Sequence, residues 1–233
     1  MDSSIKEVTD RYYRGSGGHQ YHDQKRALRP EVLEWVLNLR AAKFQALVSP
    51  GDTVVEFGVG SGWNLGRLQC RRKIGIDRAD FLSEKLAQLG IEFSPEAEQL
   101  PTAIADVLIC HQTLEHVISP AETLLQFCRI LKPRGKLILH VPWERERRYA
   151  HFDRDEPNHH LFNWNAQNLG NLLEVLGFEI QEIRARRYGY DRFAANLAFR
   201  LHLGELGFRL LRALLILLRP LKEIEAVATL PSQ

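Results

Sequence analysis

With 233 residues, 45% of them hydrophobic and 26% charged, and a formal net charge of +2, the chain has the composition of one globular domain with a substantial core. That charge balance gives no general attraction for nucleic acid, and no uninterrupted apolar run reaches the roughly 18 residues of a membrane-span candidate. Cys70, Cys110 and Cys128 form no C-x-x-C pair, and the opening M-D-S-S-I-K-E-V-T-D lacks the apolar core of a secretory signal, so a cytoplasmic location is expected.

The first thirty residues are polar and aromatic, with glycines at Gly15, Gly17 and Gly18. From Pro30, apolar residues Val32, Trp35, Val36 and Leu37, then Phe44, Leu47 and Val48, predict one or two amphipathic helices. Ser49 to Asp52 reads as a turn. Strand and helix patterns then alternate. Strands are expected at 53–57, 73–77, 91–94, 106–110, 136–141 and 178–184, with a last one at 223–230. Helices fit 64–68, 81–89, 121–131 and 166–176. Such alternation implies an α/β fold with a mainly parallel sheet covered on both faces.

The stretch T-V-V-E-F-G-V-G-S-G-W-N-L-G, Thr53 to Gly66, carries the most information. A buried strand runs into Glu56 and then Gly58, Gly60 and Gly62, as where backbone must approach a ligand closely. The spacing is not the G-x-G-x-x-G of dinucleotide sites, because Trp63 stands where the third glycine should be. A carboxylate before the first glycine suits a cationic ligand, and S-adenosylmethionine carries an ammonium and a sulfonium. Asp77 ends the second strand nineteen positions beyond Gly58, placed to accept from ribose hydroxyls.

Further motifs follow: P-E-A-E-Q-L-P at 95–101, C-H-Q-T-L-E-H-V at 110–117 and R-I-L-K-P-R-G at 129–135. With the glycine turn and Asp77, these resemble class I S-adenosylmethionine-dependent methyltransferases of the broad bacterial small-molecule group. Arg134 replaces the first glycine of that family's R-x-L-K-P-G-G. The resemblance implies a Rossmann-like seven-stranded sheet of order 3-2-1-4-5-7-6, the last strand antiparallel, with helices on both faces. It implies Glu56, Gly58, Gly60 and His111 about the methionine end of the cofactor, Asp77 on the ribose, and Glu96 with Ala97 at the adenine. The expected organisation is a helical cap over 1–48 and a cofactor-binding domain over 49–233, with 191–219 a helical insertion before the last strand.

The expected function is methyl transfer to a small molecule or glycan, most simply at oxygen. N- or C-methylation, or cofactor binding without turnover, are the alternatives. A hydroxyl acceptor needs a general base, and His111, His159 and His160 follow strands four and five, where the acceptor would enter. His116 reads as structural, and Trp164 with Tyr13 or Tyr21 would frame the acceptor. The loop H-F-D-R-D-E-P-N-H-H, 151–160, reads as a polar substrate-side loop, and no metal site is expected. The basic runs 145–148 and 184–187 read as solvated surface or as contacts to an acidic acceptor. The leucine-rich segment 201–218 reads as a packed helix, a membrane-surface contact, a cover for a lipid-like substrate, or a homodimer contact. Motifs of DNA amino- and cytosine-methyltransferases and of zinc deaminases are missing, so no nucleic-acid partner is expected.

Overall fold

Val107 and Ile109 point to one face of their strand while Leu108 and Cys110 point to the other, and all four are buried. That is the pattern of a parallel strand covered on both sides, and it recurs through the centre of the sheet. A computed structural model describes residues 28–143, 151–153 and 158–232, together with Gly15 and Gly18. The strands are β1 (Thr53–Phe57), β2 (Arg72–Ile76), β3 (Glu92–Ser94), β4 (Ala105–His111), β5 (Leu131–Pro142), β6 (Glu179–Tyr188) and β7 (Leu221–Thr229). Among the described residues they form one sheet of order β3-β2-β1-β4-β5-β7-β6. The first five strands pair in parallel, and β7 runs antiparallel to both β5 and β6. This is the architecture and strand order expected from the sequence.

Helices α1 (Pro30–Gln45), α2 (Ser83–Gln88), α3 (Pro120–Ile130) and α4 (Ala166–Val175) flank the strands, and α5 (Asp191–Arg200) and α6 (Gly204–Leu218) lie between β6 and β7 in the chain. Their starts are legible locally. Pro120 follows the Ser119 cap, whose hydroxyl accepts from Glu122 N, and Asn165 and Asn168 exchange reciprocal caps at the head of α4. Leu124, Phe127 and Ile130 of α3 and Leu169 and Leu173 of α4 join β4 and β5 in the larger core; Phe44, Leu65 and Leu86 fill the opposite face. A third cluster joins Val32 and Val36 of α1 to Ala194, Ala195 and Ala198 of α5 and Phe208 of α6. Thus α1 spans from the insertion helices to the sheet.

One local expectation is corrected and another is refined. Residues 64–68 form turns and not a helix: Gly66 N donates to Gly62 O, and the next bond, Leu68 N to Leu65 O, already tightens to a three-residue step. A helix of that length is hard to nucleate, and a Cβ at Gly66 would stand 3.2 Å from Leu37. The basic run 184–187 belongs to β6, which continues to Tyr188 on the sheet edge. There Arg184 and Arg186 reach Glu225 on β7, so part of that charge is held by the sheet itself. The basic run 145–148 lies outside the described residues.

Candidate active site

The carboxyl ends of β1, β2 and β4 meet at the glycine turn. Gly58 N and Val59 N both donate to Ile76 O, which folds the turn over the end of β2. Gly58, Gly60 and Gly62 take φ values of 74°, 52° and 74°, in the left-handed region where glycine carries no Cβ penalty. At Gly58 a Cβ would also lie 2.2 Å from Thr113 Oγ1. Asp77 fastens the loop with both carboxylate oxygens: Oδ2 accepts from Gly60 N at 2.7 Å and Oδ1 from Ala79 N at 3.0 Å. Beside it Glu56, 1% exposed, accepts from Asn64 Nδ2 at 2.5 Å.

An open cavity of about 620 Å³ starts at this turn, within the size range of small-molecule sites. Glu56, Gly58, Val59, Trp63 and Asn64 form one wall, and His111, Gln112, Glu115 and His116 continue it from the end of β4. Asn158 and His160 come from the loop after β5, and Tyr190, Asp191 and Asn196 from α5 and its start. Trp63 Nε1 and Asn196 Oδ1 are buried with no hydrogen-bond partner among the described residues. A carboxylate, a side-chain-free backbone approach and two buried polar atoms in one cavity fit a cationic ligand that also carries hydrogen-bonding groups.

Where the end of β4 meets the loop after β5, Glu115, His116 and His160 converge. Glu115 Oε1 lies 3.8 Å from His116 Nε2 and 4.0 Å from His160 Nε2, and the two imidazoles meet edge to face at 4.8 Å. The Glu115 carbonyl accepts from Leu161 N and Phe162 N, which ties the post-β5 loop to the end of β4. This trio has the donor types of a divalent-metal site, its ligand atoms all within 4.8 Å of one another. One of its histidines comes from the 151–160 loop, whose residues 154–157 lie outside the described set.

Behind His111 sits a buried charged network. Lys43 of α1 donates to Glu223 Oε1 at 2.6 Å and approaches His111 Nε2 at 3.1 Å. His140 Nδ1 meets the same Glu223 oxygen at 3.1 Å, and Gln112 donates to the other. His111, His140 and Glu223 also share metal-donor geometry, but the Lys43 ammonium reaches into that set. Burial, then the nearby Lys43 charge, pushes His140 down to about 4, so its ring is neutral near neutral pH. Burial raises Glu223, but the His140 hydrogen bond and Lys43 outweigh it and hold the carboxyl at about 2. Since an ammonium can only donate, the Lys43 contact uses the lone pair of His111 Nε2. That nitrogen is an acceptor for Lys43, not a base facing an acceptor molecule.

The residues singled out from sequence therefore separate. Glu56, Gly58, His111 and His160 line the cavity; Gly60 and Asp77 stand behind its glycine wall. Glu96 and Ala97, at the start of a short 3-10 turn after β3, and His159 are not on the cavity wall. His159 instead turns its carbonyl toward His116 Nδ1, at 3.4 Å. Trp164 is 6% exposed in the larger core, stacked on Phe162, and does not frame the cavity. Tyr13 and Tyr21 lie outside the described residues. Sequence reasoning passed over Glu115, although L-E-H-V contains it, and over Arg40 and Asp191. The last two form an ion pair at 2.7 Å across the cavity wall, and no local pattern signals it.

A family model described as a methyltransferase domain matches residues 21–183. A probable S-adenosylmethionine-dependent methyltransferase of Mycolicibacterium smegmatis is 30% identical over 141 residues, covering 57% of this chain and 54% of that protein. The chain thus spans about half the length of that relative. Among solved structures, a putative methyltransferase from Bacillus halodurans superposes with a TM-score of 0.61 at 16% identity, covering 82% of this chain and 99% of that one. The [4+2]-cyclase SpnF superposes with a TM-score of 0.59 at 22% identity, over 84% and 81% of the two chains. Likenesses at these identities speak for the fold.

Proposed function

The chain belongs to the methyltransferase-domain family, and from that premise we propose that it transfers a methyl group from S-adenosylmethionine to an oxygen of a small molecule or glycan, with His160 as the base. The observation that carries this reading is that one cavity is lined both by Glu56 with the glycine turn and by the Glu115–His116–His160 cluster. Glu56, Gly58 and the Asp77-fastened turn would hold the cofactor, which when bound supplies an electrophilic methyl on a sulfonium. Alignment of acceptor and methyl does most of the work in such a transfer. His160 Nε2 takes the acceptor's hydroxyl proton, and the Glu115 carboxylate 4.0 Å away stabilises the imidazolium that results. His111, whose Nε2 faces Lys43, lines the cavity and orients; His160 is the base in this reading.

The test is a labelled-methyl screen over hydroxyl-bearing metabolites and glycans, followed by single variants. His160→Ala should lose about 10²–10⁴-fold in turnover and keep its S-adenosylmethionine affinity by calorimetry. His159→Ala should stay near wild type. Equal turnover in His160→Ala and wild type would remove the base assignment. Cofactor binding without turnover on any acceptor would leave a binding protein, and tight NAD binding in its place would overturn the reading.

A further inference from the structure

Among the described residues, nothing covers the outer face of α6. Leu206, Leu210, Leu214, Leu217 and Leu218 recur at helical spacing and are 70%, 64%, 50%, 66% and 72% exposed, while the opposite side of the helix buries Phe208. Monomeric surfaces rarely leave a contiguous apolar stripe of this kind to water. The stripe also leads to the cavity. Leu218 is followed at once by Arg219 and Pro220, then by Leu221, which is exposed and lines the cavity with the exposed Phe193 of α5. Tyr190 Oη donates to Arg219 O at 2.7 Å, which pins the end of α6 to the head of α5 at the cavity mouth.

Charge selects the occupant. Arg187, Arg192, Arg219 and Lys222 follow or flank the mouth end of the stripe, and Arg200 lies toward the other, where Arg209 is paired with Glu205. The acids of α5 and α6 are Asp191 and Glu205, and both are bonded to arginines: Asp191 to Arg40 and Arg212, Glu205 to Arg209. A second copy docked on this face in either direction would therefore bring cations against cations. An apolar stripe with basic ends matches the acyl boundary and anionic headgroups of a lipid surface.

We propose that α6 docks this chain on an anionic membrane surface, with the cavity mouth at Phe193 and Leu221 turned toward the lipid. No described helix is long and apolar enough to cross a membrane, so the contact is interfacial. The docking does not depend on methyl transfer and would stand if the proposed reaction failed.

The experiment is flotation of the full chain with vesicles of phosphatidylcholine plus phosphatidylglycerol, and with phosphatidylcholine alone. Wild type should float with the anionic vesicles, at least about tenfold less with the neutral ones, and be released by salt. Leu214→Glu with Leu217→Glu, both at exposed positions, should keep the melting temperature and cofactor affinity and lose flotation by at least about tenfold. Wild type remaining unbound, or the double variant floating like wild type, overturns the proposal. So does light scattering that shows a dimer which the double variant disperses, because the stripe would then belong to a second copy.

Discussion

At the end of β1 the cavity wall is made of backbone. Three left-handed glycines bring the main chain up to the cavity, and Asp77 fastens them by accepting backbone N–H groups. At the ends of β4, β5 and β7 the wall rests on side chains from distant parts of the chain, joined by buried charge: Lys43 from α1, His111 from β4, His140 from β5 and Glu223 from β7. The first construction tolerates almost no side-chain change but needs only a short run of sequence. The second depends on several ionisable groups keeping one arrangement, and so it is sensitive to pH and to loss of a single partner.

The difference predicts the largest effect at Glu223. Glu223→Ala leaves Lys43 and His140 in place without their shared carboxylate, and removing one member of a buried pair costs about 3–5 kcal/mol of stability. Denaturant unfolding reads this directly. Lys43→Met combined with Glu223→Leu should recover much of that loss, since an apolar pair asks for no counter-charge. If the double variant is as unstable as Glu223→Ala, the network contributes shape and not charge balance, and the contrast between the two walls weakens.

Acid provides a second probe of the same wall. His140 has a folded pKa of about 4 against an ordinary 6.5, so the fold prefers the neutral ring. Its contribution is complete above pH 6.5 and is lost as pH falls from 6.5 toward 4. Glu223, held at about 2 against 4.5, contributes above pH 4.5 and loses that contribution as pH falls from 4.5 toward 2. Stability should therefore fall in two stages. His140→Asn should flatten the upper stage and also shrink the lower, because the His140 hydrogen bond helps Lys43 to hold Glu223 down. A variant whose stability curve still falls between pH 6.5 and 4 would assign that stage to another group.

These contrasts also explain what the sequence made legible. The strand alternation, the glycine turn and Asp77 at the end of β2 are local patterns, and the sheet order that the family resemblance implies is the one present. The second wall is assembled by pairs such as Arg40–Asp191 and Lys43–Glu223, whose partners are far apart in the chain and carry no periodic mark. Histidines after β4 and β5 were legible as candidates by position. Which of them faces the cavity was not, because that depends on the left-handed backbone at His159 (φ 52°) and on Lys43 reaching His111.

On the backbone wall, Asp77→Ala should do more than remove the ribose acceptor expected from the sequence. It takes the carboxylate from Gly60 N and Ala79 N together, and a net loss of about 1–3 kcal/mol in stability is expected. Cofactor affinity should fall by about tenfold or more alongside it. Asp77→Asn retains one acceptor oxygen and should lie between. Unfolding and calorimetry on the same samples separate the two effects. Unchanged stability with lost affinity would mean that the turn holds without Asp77, and that its carboxylate serves the ligand alone.

The smallest expected effect tests whether backbone geometry matters in the same way outside the cavity. Arg134 stands where the family motif that the sequence resembles has glycine, early in β5 and just before its run paired with β4 and β7 from Lys136, with φ at 64° and its N–H donated to Leu230 O at 2.9 Å. A non-glycine residue in the left-handed region costs roughly 1–2 kcal/mol, and Arg134 is an exposed position with no resolved side-chain ion pair among the described residues. Arg134→Gly removes the Cβ conflict and keeps the hydrogen bond. It also gives the unfolded chain more freedom, which offsets about 0.5–1 kcal/mol. The net should be a gain of about 0.5–1 kcal/mol, a rise of about 1–4 °C in melting temperature for a chain of this size, with cofactor affinity unchanged because the turn lies away from the cavity wall. A lower melting temperature would show that the arginine side chain contributes more than the strain it imposes.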